Sequence, residues 1–175
     1  ETAIILNTSA GLWGYNIGDT VEFVNLNPFR IIVTGRIKHF ISAFGEHVIG
    51  KEVEHAMRKT IETCDARVTE FTVAPQVTPQ EGLPHHEWWV AFDAPPKDLV
   101  TFAATLDTAM RQQNTYYDDL ISGGVLRPLV LKILPADAFE QYMKSIGKLG
   151  GQNKTPRLTN DRKIAEALYK LYPIK

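Results

Sequence analysis

The sequence predicts an α+β fold: a mainly antiparallel sheet with helices on one face, preceded by a β meander. Three observations lead there. Up to about Ile37, short β-branched and aromatic runs are punctuated by glycines and by Asn27-Pro28. Beyond that point, apolar residues at helical spacing alternate with period-two stretches. The order of those stretches is β-α-β-β-α-β followed by two helices, which is the split, ferredoxin-like arrangement.

Each element follows from its residues. Thr2 to Leu6, Thr20 to Val24 and Phe29 to Thr34 form the meander, which has too few apolar residues to hold a core by itself and is expected to dock on something else. Phe40 to Ala43 is a short first strand of the main sheet. Lys51 to Cys64 places Val53, Met57, Ile61 and Cys64 on one helical face, with Glu54, Arg58 and Glu62 as a charge ladder. Val68 to Ala74 is a strand with Thr69, Phe71 and Val73 on one side. Glu87 to Asp93 is the next, with Trp88, Val90 and Phe92 opposite Trp89 and Ala91. Asp93-Ala-Pro-Pro96 ends it and admits a helix whose stripe is Leu99, Phe102, Ala103, Leu106 and Met110. Pro128 to Leu134 is the last strand. One helix runs from about Ala136 to Ile146 and stops at Gly147; another starts near Asn160 and buries Ile164, Leu168 and Leu171.

Composition excludes several function classes. The 175 residues carry 19 Lys plus Arg against 20 Asp plus Glu, which lacks the basic excess of a nucleic-acid or anionic-membrane module. No apolar run approaches the roughly 20 residues that span a bilayer. The single cysteine, Cys64, rules out an intrachain disulfide framework and fits a reducing, cytoplasmic setting. Cys64 lies on an apolar stripe, where a thiol behaves as a small hydrophobe rather than a nucleophile. Among the histidines no His-Glu-x-x-His spacing occurs, and His85-His86 would diverge in an extended chain, so no metal site is expected. Trp88, Trp89 and Phe92 could stack bases, but without phosphate-binding partners they read as sheet packing. Tyr116-Tyr117-Asp118-Asp119 is either a site or a solvated helix end.

Two segments could carry chemistry; the alternative for each is an ordinary turn with surface charges. In Ala10-Gly-Leu-Trp-Gly-Tyr-Asn-Ile-Gly-Asp19, glycines let the backbone approach a ligand, and Asp19 can accept from a vicinal diol. Arg36 follows a β run and precedes a glycine-bearing loop, a place for an anion contact. In Gly150-Gly-Gln-Asn-Lys-Thr-Pro-Arg157, the paired glycines loosen the chain and Pro156 stiffens it beyond Lys154, so that a mobile loop presents a cation suited to phosphoryl or acyl chemistry.

Tyr15-Asn-Ile-Gly-Asp19, Gly35-Arg36 and Glu52-Val-Glu54 together resemble the adenylate-forming superfamily. More specifically, residues 10–19 are similar to the Ala-Gly-Leu-Tyr-Arg-Tyr-Arg-Val-Gly-Asp segment of the auxin-responsive Gretchen Hagen acyl-acid amido synthetases. Asn114-Thr-Tyr-Tyr117, Arg127-Pro-Leu129, Phe139-Glu140 and Gln152-Asn-Lys-Thr-Pro-Arg157 continue the resemblance collinearly.

The resemblance implies a two-step ligase that uses ATP with Mg2+. A carboxylic acid becomes an acyl-adenylate, and an amino-acid amine then displaces AMP to give an amide. Asp19 would hold the ribose hydroxyls, Tyr15 would belong to the same nucleotide site, and Arg36 would contact ribose or phosphate. Lys154 would be catalytic, against the reacting carboxylate and α-phosphate. Lys38 occupies the hinge position, so residues 1–37 would be the β-rich tail of a large N-terminal domain and 38–175 the mobile C-terminal domain. That N-terminal domain, which would bind most of the ATP and Mg2+, is the partner expected in cis, and the fragment alone is expected to be inactive. His47 stands where plant members carry a lysine after the hinge, which makes it a candidate phosphate contact, and Val33-Thr-Gly35 replaces their Arg-rich stretch. The alternatives are an acyl-CoA ligase, with a thiol replacing the amine, and a non-catalytic ferredoxin-like interaction module.

Overall fold

A computed structural model describes residues 2–36, 40–148, 150 and 154–173. It opens with three antiparallel strands, β1 (Thr2–Leu6), β2 (Tyr15–Leu26) and β3 (Phe29–Arg36), ordered as a meander. Among its described residues Val21 is the one that is buried. Trp13, Phe29, Leu26 and Val33 are 82%, 77%, 68% and 67% exposed, so the meander keeps a broad apolar surface.

The second sheet carries the core. Strands β6 (Arg67–Gln76) and β7 (His85–Ala94) pair antiparallel, and β8 (Val130–Leu134) joins β7 in parallel. Between the meander and this sheet lie β4 (Phe40–Ile41), β5 (Val48–Ile49) and helix α1 (Gly50–Cys64). Helices α2 (Leu99–Gln113) and α3 (Thr115–Ser122) follow β7, and α4 (Ala138–Ser145) and α5 (Lys163–Leu171) follow β8. The alternation along β7 sets the layers. Trp88, Val90 and Phe92 meet Val53, Met57, Phe102 and Leu106 of α1 and α2. Trp89 and Ala91, on the other side, meet Phe139, Tyr142, Ile164 and Leu168 of α4 and α5.

The α+β class and the mainly antiparallel pairing match expectation, with two differences of detail. Phe40–Ile41 pairs with Val48–Ile49 as a separate hairpin instead of entering the main sheet. The outer edge of β6 is bridged instead by Leu158, parallel to Val73. Helices also cover both faces, because α4 and α5 carry apolar stripes that bury the Trp89 side. No helix among the described residues is long and apolar enough to cross a membrane.

Capping explains several boundaries. The Asp98 carboxylate accepts from the Val100 N–H at 2.9 Å and starts α2. The Asn114 amide oxygen accepts from the Tyr117 N–H at 2.8 Å and starts α3. Glu52 reaches back to accept from the Ile49 N–H at 3.0 Å, which secures the first turn of α1.

Candidate functional site

A cleft of about 1160 Å³ opens between the end of the β2–β3 ladder, the first turns of α1 and residues 154–158. That volume exceeds the roughly 300–1,000 Å³ of ordinary small-molecule pockets. The meander supplies Asp19, Thr20, Thr34 and Gly35 to one wall. Asp19, half-buried, follows Gly18, whose φ of 83° favours glycine. The Asn16 side-chain oxygen accepts from the Gly18 N–H at 2.8 Å and helps to hold that turn. Asp19 and Arg36 are register partners across the ladder. Next to them, the Thr34 hydroxyl donates to that of Thr20 at 3.1 Å.

The opposite wall is the segment from Lys154 to Leu158. It is bound to β6 from Pro156 onward. The Thr72 hydroxyl donates to the Pro156 carbonyl at 2.7 Å, and the Val73 N–H donates to the Arg157 carbonyl at 2.9 Å. The Thr159 N–H donates back to the Val73 carbonyl at 3.0 Å, and Leu158 is buried. The Arg157 guanidinium pairs with Glu70, lies 4.0 Å from Glu54 and stands 4.6 Å above the Phe71 ring. The part of the loop expected to be mobile at residues 151–153 lies outside the described residues; from Pro156 onward the segment is tied to the sheet, with Thr155 buried and Lys154 exposed.

The third wall comes from the β4–β5 hairpin and α1, through His47, Lys51, Glu54, His55 and Arg58. His47 is exposed with φ 46°, and its ring lies 5.3 Å from that of Phe40. Its neighbour Glu46 is fully buried and meets the His86 Nε2 at 2.8 Å. The Phe44 N–H also donates to Glu46 at 2.8 Å. Burial alone would raise the Glu46 carboxyl, but the hydrogen bond and charge of His86, with backbone N–H groups, hold it below the usual carboxylate range. Asn114 donates to the Glu46 carbonyl at 3.1 Å and to the Glu52 carboxylate at 3.1 Å. Tyr117 stacks on His86 with centroids 5.1 Å apart and donates its hydroxyl to Asp107 at 2.9 Å. Burial, then the Asp107 carboxylate, pushes the Tyr117 hydroxyl well above its ordinary range.

Of the residues singled out from sequence, the cleft brings together Asp19, His47 and Lys154, together with Gly35 beside Arg36. Tyr15 is half-exposed on β2 opposite Leu6 and is not part of the lining. Lys38 and the Arg36 side chain lie outside the described residues. His85 and His86 are both buried at the start of β7, where they serve the fold. Asn114 and Tyr117 likewise lock α3 and the hairpin together. Asp118 pairs with Arg111, which gives the acidic end of that motif a helical partner. Glu46 and Arg157 had no periodic signal; each is a charged residue whose partner lies far along the chain. Among the described residues no group of three or more His, Cys, Asp or Glu converges as a metal site.

Comparison with known proteins adds independent findings. The profile of the GH3 family C-terminal domain matches residues 51–163. The chain is 25% identical over 181 residues to indole-3-acetic acid-amido synthetase GH3.10 of Arabidopsis thaliana, covering 96% of this chain and 30% of that protein. Among solved structures it is similar to GH3.15 acyl acid amido synthetase, with a TM-score of 0.75 and 18% identity. That match covers 95% of this chain and 32% of the other. AtGH3.15 acyl acid amido synthetase in complex with 2,4-DB superposes with a TM-score of 0.71, at 18% identity. The chain therefore spans about a third of the length of these relatives.

Proposed function

Because the chain belongs to the GH3 family, we propose that it is the C-terminal part of an ATP-dependent ligase that joins a carboxylic acid to an amino acid. In the first step a carboxylate oxygen attacks the α-phosphorus of ATP, the bond to pyrophosphate breaks, and an acyl-adenylate forms. In the second the amine nitrogen attacks the acyl carbon, AMP leaves, and the nitrogen loses its proton. Both named relatives are amido synthetases, which favours an amine over a thiol as the acceptor.

The observation that carries this reading is the shared cleft, in which Asp19 and Lys154 come together from opposite ends of the chain. Asp19 would accept hydrogen bonds from the ribose hydroxyls, and Arg36 would contact ribose or phosphate. His47 would stand near the phosphates. The Lys154 ammonium would offset the charge that builds up when the carboxylate meets the α-phosphate, in a site that domain closure shields from water. Magnesium would enter with the triphosphate, because no group of three or more His, Cys, Asp or Glu converges among the described residues to hold it. Residues 1–37 would belong with an upstream body, whose docking would cover the apolar meander, and the remainder would swing about Lys38 between the two steps.

ATP–pyrophosphate exchange by the full-length protein tests this. Lys154→Ala should lower exchange about a hundredfold or more, the typical effect of removing one such donor. Conversion of a supplied acyl-adenylate to the amide should largely survive. Wild-type exchange in the variant would remove Lys154 from the site.

A further inference from the structure

We infer that Arg157 is a positioning residue that keeps the Lys154 ammonium available by occupying the two carboxylates that share its cleft. The inference rests on the proposed role of Lys154. Glu54 of α1 and Glu70 of β6 both line the cleft, as does Lys154. Each is partly exposed, with side chains at 52% and 25%, and both face the Arg157 guanidinium. A planar guanidinium has five donors in a fixed fork and stacks on an aromatic face, so it can face two carboxylates and a ring at once. Phe71, beneath it, is itself stacked on the buried Trp88 at 5.6 Å, so the cation is referenced to the core.

The Arg157 side chain is not what holds the segment in place. The backbone bonds to Val73, the Thr72–Pro156 bond and the buried Leu158 do that, and they survive truncation of the side chain. Truncation instead takes the guanidinium away from Glu54 and Glu70, while Glu70 keeps the bond from the Phe71 N–H at 2.9 Å. The two carboxylates would then draw the Lys154 ammonium toward themselves and away from the reacting carboxylate and α-phosphate. Arg157 thus acts through charge sequestration.

This mechanism predicts a rescue that a structural role does not. In the full-length protein, Arg157→Ala should lower the kcat of ATP–pyrophosphate exchange at least tenfold, with the KM for ATP and the melting temperature nearly unchanged. Adding Glu54→Gln and Glu70→Gln to it removes still more contacts, yet should restore exchange to within about threefold of wild type. Wild-type exchange in Arg157→Ala, or a triple variant as impaired as the single one, would overturn the inference while loss in Lys154→Ala still upheld the role of Lys154. Wild-type exchange in Lys154→Ala would overturn both. Should Arg157→Ala not fold, Arg157→Gln with and without the two Glu→Gln changes reads the same rescue, and its absence there would overturn the inference equally.

Discussion

An ionised carboxylate that accepts from ribose hydroxyls gains about 1.5–3 kcal/mol per charge-assisted bond. Asp19→Ala in the full-length protein should therefore raise the ATP concentration needed for half-maximal rate at least tenfold. The melting temperature should hardly move, because Asp19 sits at the end of a ladder whose strands pair through their backbones. An unchanged ATP requirement would remove Asp19 from the nucleotide. Asp19 and Lys154 were legible because each stands in a short motif with glycine or proline beside it. Arg157 was read only as part of such a motif, since nothing local shows that its side chain crosses to Glu70 on another strand. Glu46 and His86 were illegible for the same reason: a buried pair joined across 40 positions leaves no periodic trace.

At the scale of elements, the β4–β5 hairpin shows what local pattern omits. Two-residue strands are too short to display alternation, so Phe40 to Ala43 read as the first strand of the main sheet rather than half of a hairpin. What holds the hairpin is the Glu46–His86 pair with Asn114. Removing His86 would leave a fully buried carboxylate without its partner, which typically costs about 3–5 kcal/mol. His86→Ala should destabilise the protein by that order, measured by chemical denaturation. Acid should act in the same direction. Burial, then the nearby Arg127 cation, lowers the pKa of His85 from its ordinary 6.5, so its contribution is present above about pH 6.5 and is lost as pH falls below it. The Glu46 carboxyl is held below 4.5, so its contribution is complete above that value and is lost as pH falls further. Melting temperature should decline in two stages on acidification, and Glu46→Gln should diminish the lower one, to which the Asp98 cap also contributes. A flat profile from pH 8 down to about pH 2 would contradict this reading.

For the molecule as a whole, the layer order was legible in β7, whose alternating residues divide between two clusters as the period-two pattern requires. Which face each helix would cover was not. An apolar stripe says that a helix is buried, not against what, and α4 and α5 chose the face that the ferredoxin-like order left open. The exposed apolar meander fits a chain that spans about a third of its relatives and, by the proposal, packs against an upstream body. By the proposal, the cleft between the meander, α1 and residues 154–158 receives the phosphates of ATP. An adenosine carrying a 5′-fluorosulfonylbenzoyl group places a lysine-reactive electrophile where those phosphates would lie. Incubated with the full-length protein and mapped by peptide mass spectrometry, it should modify Lys154, and ATP should prevent the modification. ATP-protected labelling of other residues with Lys154 untouched would place the phosphates away from this cleft.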